Sequence, residues 1–249
     1  MKAVVTGASS GIGYQIALLL SEKGYETDLV GRDADSLKKL SGVMKNKSVI
    51  ENVDLSFPDN AKALFCRHSD ADVVVNCAGV GVYGEFVDTD LDRELEMISL
   101  NISSLHILTK LFYTEFVKRR SGSILNVSSS AAYFFGPQFS SYYASKAYVH
   151  KLTRAIAYES KKKRYGVKIT LFCPGPVKTN FGKRDNISDG VGAITAEAAA
   201  KKAVDGMLKG RAVVYSDFKT RLLVCLSKII PEFILTAFVY DQQLKKKSQ

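Results

Sequence analysis

The sequence predicts an α/β protein of the doubly wound type, with a mostly parallel seven-stranded sheet and helices on both of its faces. Three observations carry that prediction. Seven short β-rich runs alternate with helical patterns along the chain, and such alternation implies parallel pairing through right-handed crossovers. A glycine-rich turn containing Gly7, Gly11 and Gly13 lies between the first strand and the first helix. The 249 residues, 46% hydrophobic and 24% charged, suffice for one full core. No Pro/Gly/Ser linker or internal repeat divides them, so residues 1–249 are read as one domain.

The elements follow in order. Residues 2–6 form a short apolar run that reads as the first strand, and apolar positions 12, 16, 17, 19 and 20 give helical periodicity over 12–23. Further strands are expected at 26–31, 48–53, 72–76, 123–128, 167–172 and 212–215. Helices are expected at 33–45, 59–68, 90–119, 141–163, 195–209 and 217–229, with Asp33 placed to cap the second. Residues 177–194 are polar, glycine-containing and aperiodic, which suits a mobile lid over a substrate.

Residues 216–249 form a C-terminal apolar extension, and within it 222–240 are nineteen largely apolar positions. Lys228, Pro231 and Glu232 near their centre weigh against a spanning helix. Three uses stay open: a membrane span, peripheral membrane contact, and packing over the substrate cleft or a neighbouring subunit.

Composition narrows the function. Cys66, Cys77, Cys173 and Cys225 form no CxxC pair, and His68, His106 and His150 show no ligand spacing, so neither a metal nor a disulfide framework is expected. No secretory signal pattern precedes the first strand, and reduced thiols suit a cytoplasmic location. The net charge of +10 gathers in Lys118-Arg119-Arg120, Lys161-Lys162-Lys163-Arg164 and Lys245-Lys246-Lys247. Two of these runs close helices and the third is a tail, without interleaved aromatics, so no nucleic-acid partner is expected.

The glycine turn lets the backbone approach a ligand closely, and the helix behind it aims amides at a pyrophosphate. Ser9, Ser10 and Ile12 are the expected donors. The pattern Tyr-x-x-x-Lys occurs three times, at Tyr142/Lys146, Tyr158/Lys162 and Tyr215/Lys219. Only the first has a serine, Ser129, thirteen residues upstream at the end of a predicted strand, where ligands bind in open α/β sheets. Ser145 stands thirteen residues before Tyr158 but on the same helix, ~20 Å away at the helical rise, and cannot share a substrate with it.

With these residues in place, the chain resembles the short-chain dehydrogenase/reductase family, single-domain type, from residue 2 to about 215. Thr6-Gly7-x-x-x-Gly11-x-Gly13, Asp54, Asn76-Cys77-Ala78-Gly79, Asn101, Ser129, Tyr142, Lys146 and Pro174-Gly175 with Val177 and Thr179 match its motifs in order, Cys77 being the one departure. The resemblance implies a Rossmann-type fold and reversible hydride transfer between a nicotinamide cofactor and a carbonyl or secondary alcohol. Tyr142 is then the general acid, and Lys146 lowers its pKa and holds the nicotinamide ribose. Ser129 donates to the substrate oxygen, and Asn101 holds a water linking Lys146 to solvent. Gly7, Ser9, Ser10, Gly11, Ile12, Gly13, Asp54, Asn76, Ala78, Gly79, Pro174, Gly175, Val177 and Thr179 bind the cofactor. Eighteen residues beyond Gly13 stands Gly31 rather than a carboxylate, followed by Arg32, whose guanidinium suits a 2′-phosphate; this favours NADP(H) over NAD(H).

Tyr83, Tyr133, Phe134, Phe135 and Phe139 are available to line a cleft for an apolar or aromatic substrate or to fill the core. A homodimer or homotetramer is implied through the helices at 90–119 and 141–163, using Leu105, Leu108, Leu111, Phe112 and Phe116 on one and Tyr148, Leu152, Ile156 and Tyr158 on the other. Two other functions stay open: a membrane-peripheral reductase of lipid or acyl chains, and a dinucleotide-binding sensor without turnover.

Overall fold

The computed structural model describes residues 1–181 and 192–247. In chain order its strands are β1 (Lys2–Thr6), β2 (Glu26–Gly31), β3 (Ser48–Asn52), β4 (Val73–Asn76), β5 (Ser123–Val127), β6 (Lys168–Cys173), two-residue β7 (Val177–Lys178) and β8 (Ile194–Thr195), and β9 (Val213–Tyr215). The main sheet runs β3-β2-β1-β4-β5-β6-β9 with every pair parallel. Strand order reverses between β1 and β4, which opens a crevice at their carboxyl ends.

The helices are α1 (Gly11–Glu22), α2 (Ala34–Ser41), α3 (Pro58–His68), α4 (Leu91–Ile98), α5 (Leu105–Arg119), α6 (Ser140–Lys163), α7 (Ala196–Leu208), α8 (Phe218–Leu226) and α9 (Glu232–Lys247). The two-residue period of the strands divides the core. Ala3 and Val5 of β1 pack with Ile16 and Leu20 of α1, Leu37 and Leu40 of α2, and Val204 and Met207 of α7. Val4 faces the other way, into a cluster with Leu64 of α3 and Leu108, Phe112 and Phe116 of α5. Each such large side chain contributes roughly 1.5–3 kcal/mol by leaving water. Asp33 caps α2 as expected, accepting the Ser36 amide.

Four differences from the sequence expectation have local causes. The helix expected at 33–45 ends at Ser41, with Gly42 in the C-cap position. The helix expected at 90–119 is interrupted by a π-helical turn at Ser99–Ser104. That turn carries Asn101, whose side chain bonds the Val80 backbone in both directions, and π-turns are commonly found where a helix serves a site. Leu105, Leu108, Phe112 and Phe116 are buried in their own core rather than offered to a partner. The apolar residues that remain exposed on these helices are Leu91, Leu95 and Ile98 on one face of α4, together with Tyr148 and Tyr158 of α6.

The fourth difference is at the C-terminus. Residues 222–240 do not form one span: α8 ends at Leu226, and a second helix, α9, begins after Pro231. Among the described residues no helix is long and apolar enough to cross a membrane. Instead α9 docks near the crevice, where Gln243 Nε2 donates to Tyr143 Oη (2.6 Å) and Tyr83 Oη donates to the Gln243 carbonyl (2.8 Å).

Candidate active site

The glycine turn is built by close approach. Gly7 and Gly11 have φ of 70° and 57°, left-handed values that other residues adopt at a cost. A Cβ on Gly13 would stand 2.2 Å from the Gly7 carbonyl oxygen, so only glycine lets α1 close against the turn. A Cβ on Gly7 would strike Ala78 at 2.9 Å, and one on Gly11 would meet Thr179 Cγ2 at 3.2 Å. Thr6 Oγ1 accepts the Cys77 and Ala78 amides (3.0 and 3.1 Å) and donates to the Val75 carbonyl (3.2 Å). These contacts bring residues 6–13, 77–79 and 174–179 to one place.

That place fits a dinucleotide pyrophosphate. Helices α2, α4, α7 and α8 begin with Asp33, Asp90, Thr195 and Asp217 accepting an amide, whereas Ser10 opens α1 with no side-chain cap, as Phe57 does α3 and Phe139 α6. The amides of the first turn, Ile12 included, therefore point at the crevice with the positive end of the dipole.

At the end of β2 the backbone is gripped by Asn52, whose Nδ2 donates to the carbonyls of Gly31 (3.2 Å) and Arg32 (2.9 Å). A Cβ on Gly31 would come 3.2 Å from Ser9 Oγ, so this end closes on the glycine turn. The half-exposed Arg32 guanidinium lies 2.8 Å from Glu96 Oε1 and 3.7 Å from Asp54 Oδ2. Asp54 Oδ1 accepts both the amide (2.8 Å) and the hydroxyl (2.7 Å) of Ser56. Burial raises the Asp54 pKa, but those bonds and Arg32 outweigh it and hold the carboxyl below its ordinary value.

Tyr142 stands in the first turn of α6, half-buried, its ring 4.9 Å from Phe139 and 5.3 Å from Phe181 between centroids. The Ser129 hydroxyl is its neighbour and accepts the Ala131 amide (3.1 Å). Lys146, one turn further on, is buried, with Nζ donating to the Val127 carbonyl (3.3 Å) and lying 5.7 Å from the Tyr142 ring centre. A Cβ on Gly79 would come within 3.3 Å of that ammonium. The other two pairs are elsewhere: Tyr158 is 70% exposed, and Tyr215 Oη bonds Tyr133 Oη at 3.0 Å.

The electrostatics correct one expectation. Burial raises the Tyr142 phenol well above its ordinary value, and the neighbouring Ser129 hydroxyl opposes only part of that. Burial also lowers Lys146 to about 8. The predicted lowering of Tyr142 by Lys146 does not appear in the free chain, where burial is the largest influence on the phenol and Lys146 is not among the others. The neighbouring Cys77 thiol is pushed up to about 12 by burial and stays neutral.

Two candidate asparagines are tied into the surrounding structure. Asn101 is buried, with Nδ2 donating to the Val80 carbonyl (2.9 Å) and Ser145 Oγ (3.1 Å) and Oδ1 accepting the Val80 amide (3.0 Å). Both amide protons are thus used within the protein, and the side chain braces the Gly79–Val80 segment. The Asn76 side chain points into the core, donating to Asn126 Oδ1 (2.8 Å) and Thr109 Oγ1 (3.1 Å), while Asn126 Nδ2 donates to Thr153 (3.0 Å). This network ties β4, β5, α5 and α6 behind the crevice, and sequence reading missed Asn126, Thr109 and Thr153. A buried asparagine carries no sequence mark of its partners.

Pro174 accepts the Ser130 amide at 2.8 Å, and Gly175 donates to Ser216 Oγ at 3.0 Å, so the segment after β6 is tied to the Ser129 strand end and to α8. Beyond it, β7 carries Val177 and pairs with β8, pinning both ends of the expected lid, and Phe181 lies on Tyr142. Lid residues 182–191 lie outside the described residues. Of the candidate cleft aromatics, Phe139 reaches Tyr142, Tyr83 is buried against Phe139 and α9, and Tyr133 bonds Tyr215 away from the site. Among the described residues no cluster of His, Cys, Asp and Glu could hold a metal.

Comparison with known proteins identifies the family and the fold. The family model for short chain dehydrogenases matches residues 1–190, and the chain belongs to that family. An uncharacterized oxidoreductase of Staphylococcus epidermidis is 33% identical over 205 residues, covering 76% of this chain and 88% of the relative. A short-chain dehydrogenase from Sphingobium yanoikuyae solved with NADPH superposes with a TM-score of 0.83 at 23% identity, covering 92% of this chain and 93% of that one. A family member from Burkholderia phymatum solved with NAD gives 0.80 at 20% identity, over 90% and 92%. Those two likenesses show the shared fold, and the fold accommodates either dinucleotide. The protein is an oxidoreductase of the family, with a Rossmann-type nicotinamide dinucleotide architecture.

Proposed function

We propose that the protein interconverts a small carbonyl compound and its secondary alcohol with NADP(H), using Tyr142 as general acid and base. The observation that carries this reading is the meeting of Ser129 and Tyr142 at the carboxyl edge of the sheet, with Lys146 one turn away and the uncapped glycine turn alongside. When bound, the reduced nicotinamide supplies a hydride to the carbonyl carbon. The chain's own part is to place and protonate the oxygen. Ser129 donates to the substrate oxygen and orients it. Tyr142 delivers its proton as charge develops there, and the Lys146 ammonium stabilises the phenolate left behind. Phe139 and Phe181 flank the Tyr142 ring and suit an apolar or aromatic substrate.

The preference for NADP(H) rests on Arg32 following a residue without a carboxylate, and it requires Arg32 to exchange Glu96 for the 2′-phosphate. A homo-oligomer is supported by the exposed Leu91, Leu95 and Ile98 stripe of α4. A panel of ketones and alcohols, followed by nicotinamide absorbance with both cofactors, tests the reaction. A folded chain that binds NADPH but turns over none of the panel favours a sensor instead. Light scattering tests assembly, where a fully active 27.3 kDa species would refute the oligomer.

A further inference from the structure

Helices α8 and α9 each bury one side and leave the other in water. On α8, Thr220 and Val224 are buried four residues apart, while Leu222, Leu223 and Leu226 are exposed. On α9, Gln243 is buried against Tyr143 and Tyr83, while Phe233, Ile234 and Phe238 are exposed, Phe233 by 75%. Ile229, in the connection between them, is 82% exposed. Among the described residues, nine of the 22 exposed large apolar side chains fall within 218–244, a concentration that marks a contact surface.

Basic residues border it. An open groove of about 800 Å³ between α7 and α8 is lined by Lys202, Lys209, Arg211 and Arg221 and includes Phe218. Its acids are Asp205 and Asp217, and Asp217 is engaged at the start of α8 by the Thr220 amide (2.7 Å) and hydroxyl (2.8 Å). Lys219, Lys228 and Lys245 are exposed along the same stretch, with Glu232 and Asp241 as its exposed acids.

We propose that the α8–α9 region docks onto an anionic lipid bilayer, its apolar side chains entering the interface and its basic residues meeting the headgroups. Neither helix is long enough to span, so each lies at the surface. Charge selects this occupant over a second copy, because a two-fold contact would set the same cations against one another. The other exposed apolar stripe, on α4, shares its helix with three acids, Asp92, Glu94 and Glu96, against one base, Arg93. The buried side of α9 meets Tyr143, the neighbour of Tyr142, so a docked molecule holds its crevice wall next to the bilayer. An apolar carbonyl compound dissolved in the lipid then has a short path to the site; that last step rests on the reductase reading, whereas docking does not.

Co-sedimentation of the full chain with phosphatidylcholine vesicles, with and without about 30 mol% phosphatidylglycerol, tests it. Binding is expected to the anionic vesicles and to weaken with salt. Phe233→Ser with Phe238→Ser should abolish it, and Arg221→Gln with Lys228→Gln should weaken it roughly tenfold or more. Circular dichroism and turnover of a short, water-soluble ketone should be unchanged in both variants. Absence of wild-type binding overturns the proposal. So does binding that survives loss of both phenylalanines, which would be charge attraction alone. An oligomer that dissociates in that variant, without vesicle binding, makes a second copy the occupant. Vesicle binding by a chain that reduces no ketone leaves docking standing and removes the reductase reading.

Discussion

The carboxyl edge of the sheet and the α8–α9 region treat side chains in opposite ways. Behind the crevice, Asn76, Asn126, Thr109 and Thr153 are buried and bonded to one another, and Asn101 is buried with both amide protons placed. Along α8 and α9, leucines, isoleucines and phenylalanines stand in water. A buried polar group is costly unless its partners are in place, so the first arrangement admits one geometry and holds it. An exposed apolar group adds little to the isolated fold and gains free energy only when something covers it. One region is built for position and the other for contact.

The largest test of that contrast is at Tyr142. Tyr142→Phe should lower kcat by about 10²–10⁴-fold with cofactor affinity nearly unchanged, since only the transferable proton is lost. The exposed Tyr158, changed to phenylalanine, should leave turnover unaltered. Substantial activity in the Tyr142 variant would mean that another acid does the work.

Next in size is stability. Asn126→Leu removes one partner each from Asn76, Thr109 and Thr153 and should cost about 2–4 kcal/mol in urea denaturation. Leu222→Ser on α8 should cost within about 0.5 kcal/mol, as exposed positions do. Equal losses at the two sites would break the distinction between the regions.

Cofactor choice follows. Gly31→Asp with Arg32→Ala should shift preference from NADP(H) toward NAD(H) by about thirtyfold, read from the two dissociation constants.

The pH dependence is smaller over the neutral range. Burial lowers Lys146 to about 8, so the ammonium is present below that pH and lost above it. Reductive kcat/KM should be flat on the acid side and fall up to tenfold per unit on the alkaline side. Lys146→Arg should remove that limb if the charge alone is needed. The smallest effect belongs to Glu96→Gln, which frees Arg32 of a competing carboxylate and should tighten NADP(H) by about threefold, a partly exposed pair contributing little.

Much of the fold and part of the candidate site could be read from the chain alone. The seven strands fall within about a residue of their expected ends because apolar β-rich runs and glycine turns are local signals. Tyr142 is distinguished from Tyr158 by helical rise alone, since Ser145 and Tyr158 share α6 and Ser129 does not. Gly7, Gly11 and Gly13 announce a close approach because no other residue tolerates one. The aromatic content of residues 133–139 is visible too, but which ring reaches Tyr142 is not.

What only the tertiary structure decided depends on partners far away in sequence. Gln243 meets Tyr83 across 160 residues, Arg32 meets Glu96 across 64, and Asn76 meets Asn126 across 50. No periodicity encodes those encounters. The π-turn carries Asn101, whose side chain meets the carbonyl and amide of Val80, 21 residues earlier. The α5 leucines and phenylalanines show the same limit from the other side, since their spacing marks an apolar stripe without saying whether it faces a sheet or a partner. Local chemistry determined the elements and the reactive residue types; long-range packing determined which surfaces were covered, which charges were paired and how far burial moved each proton.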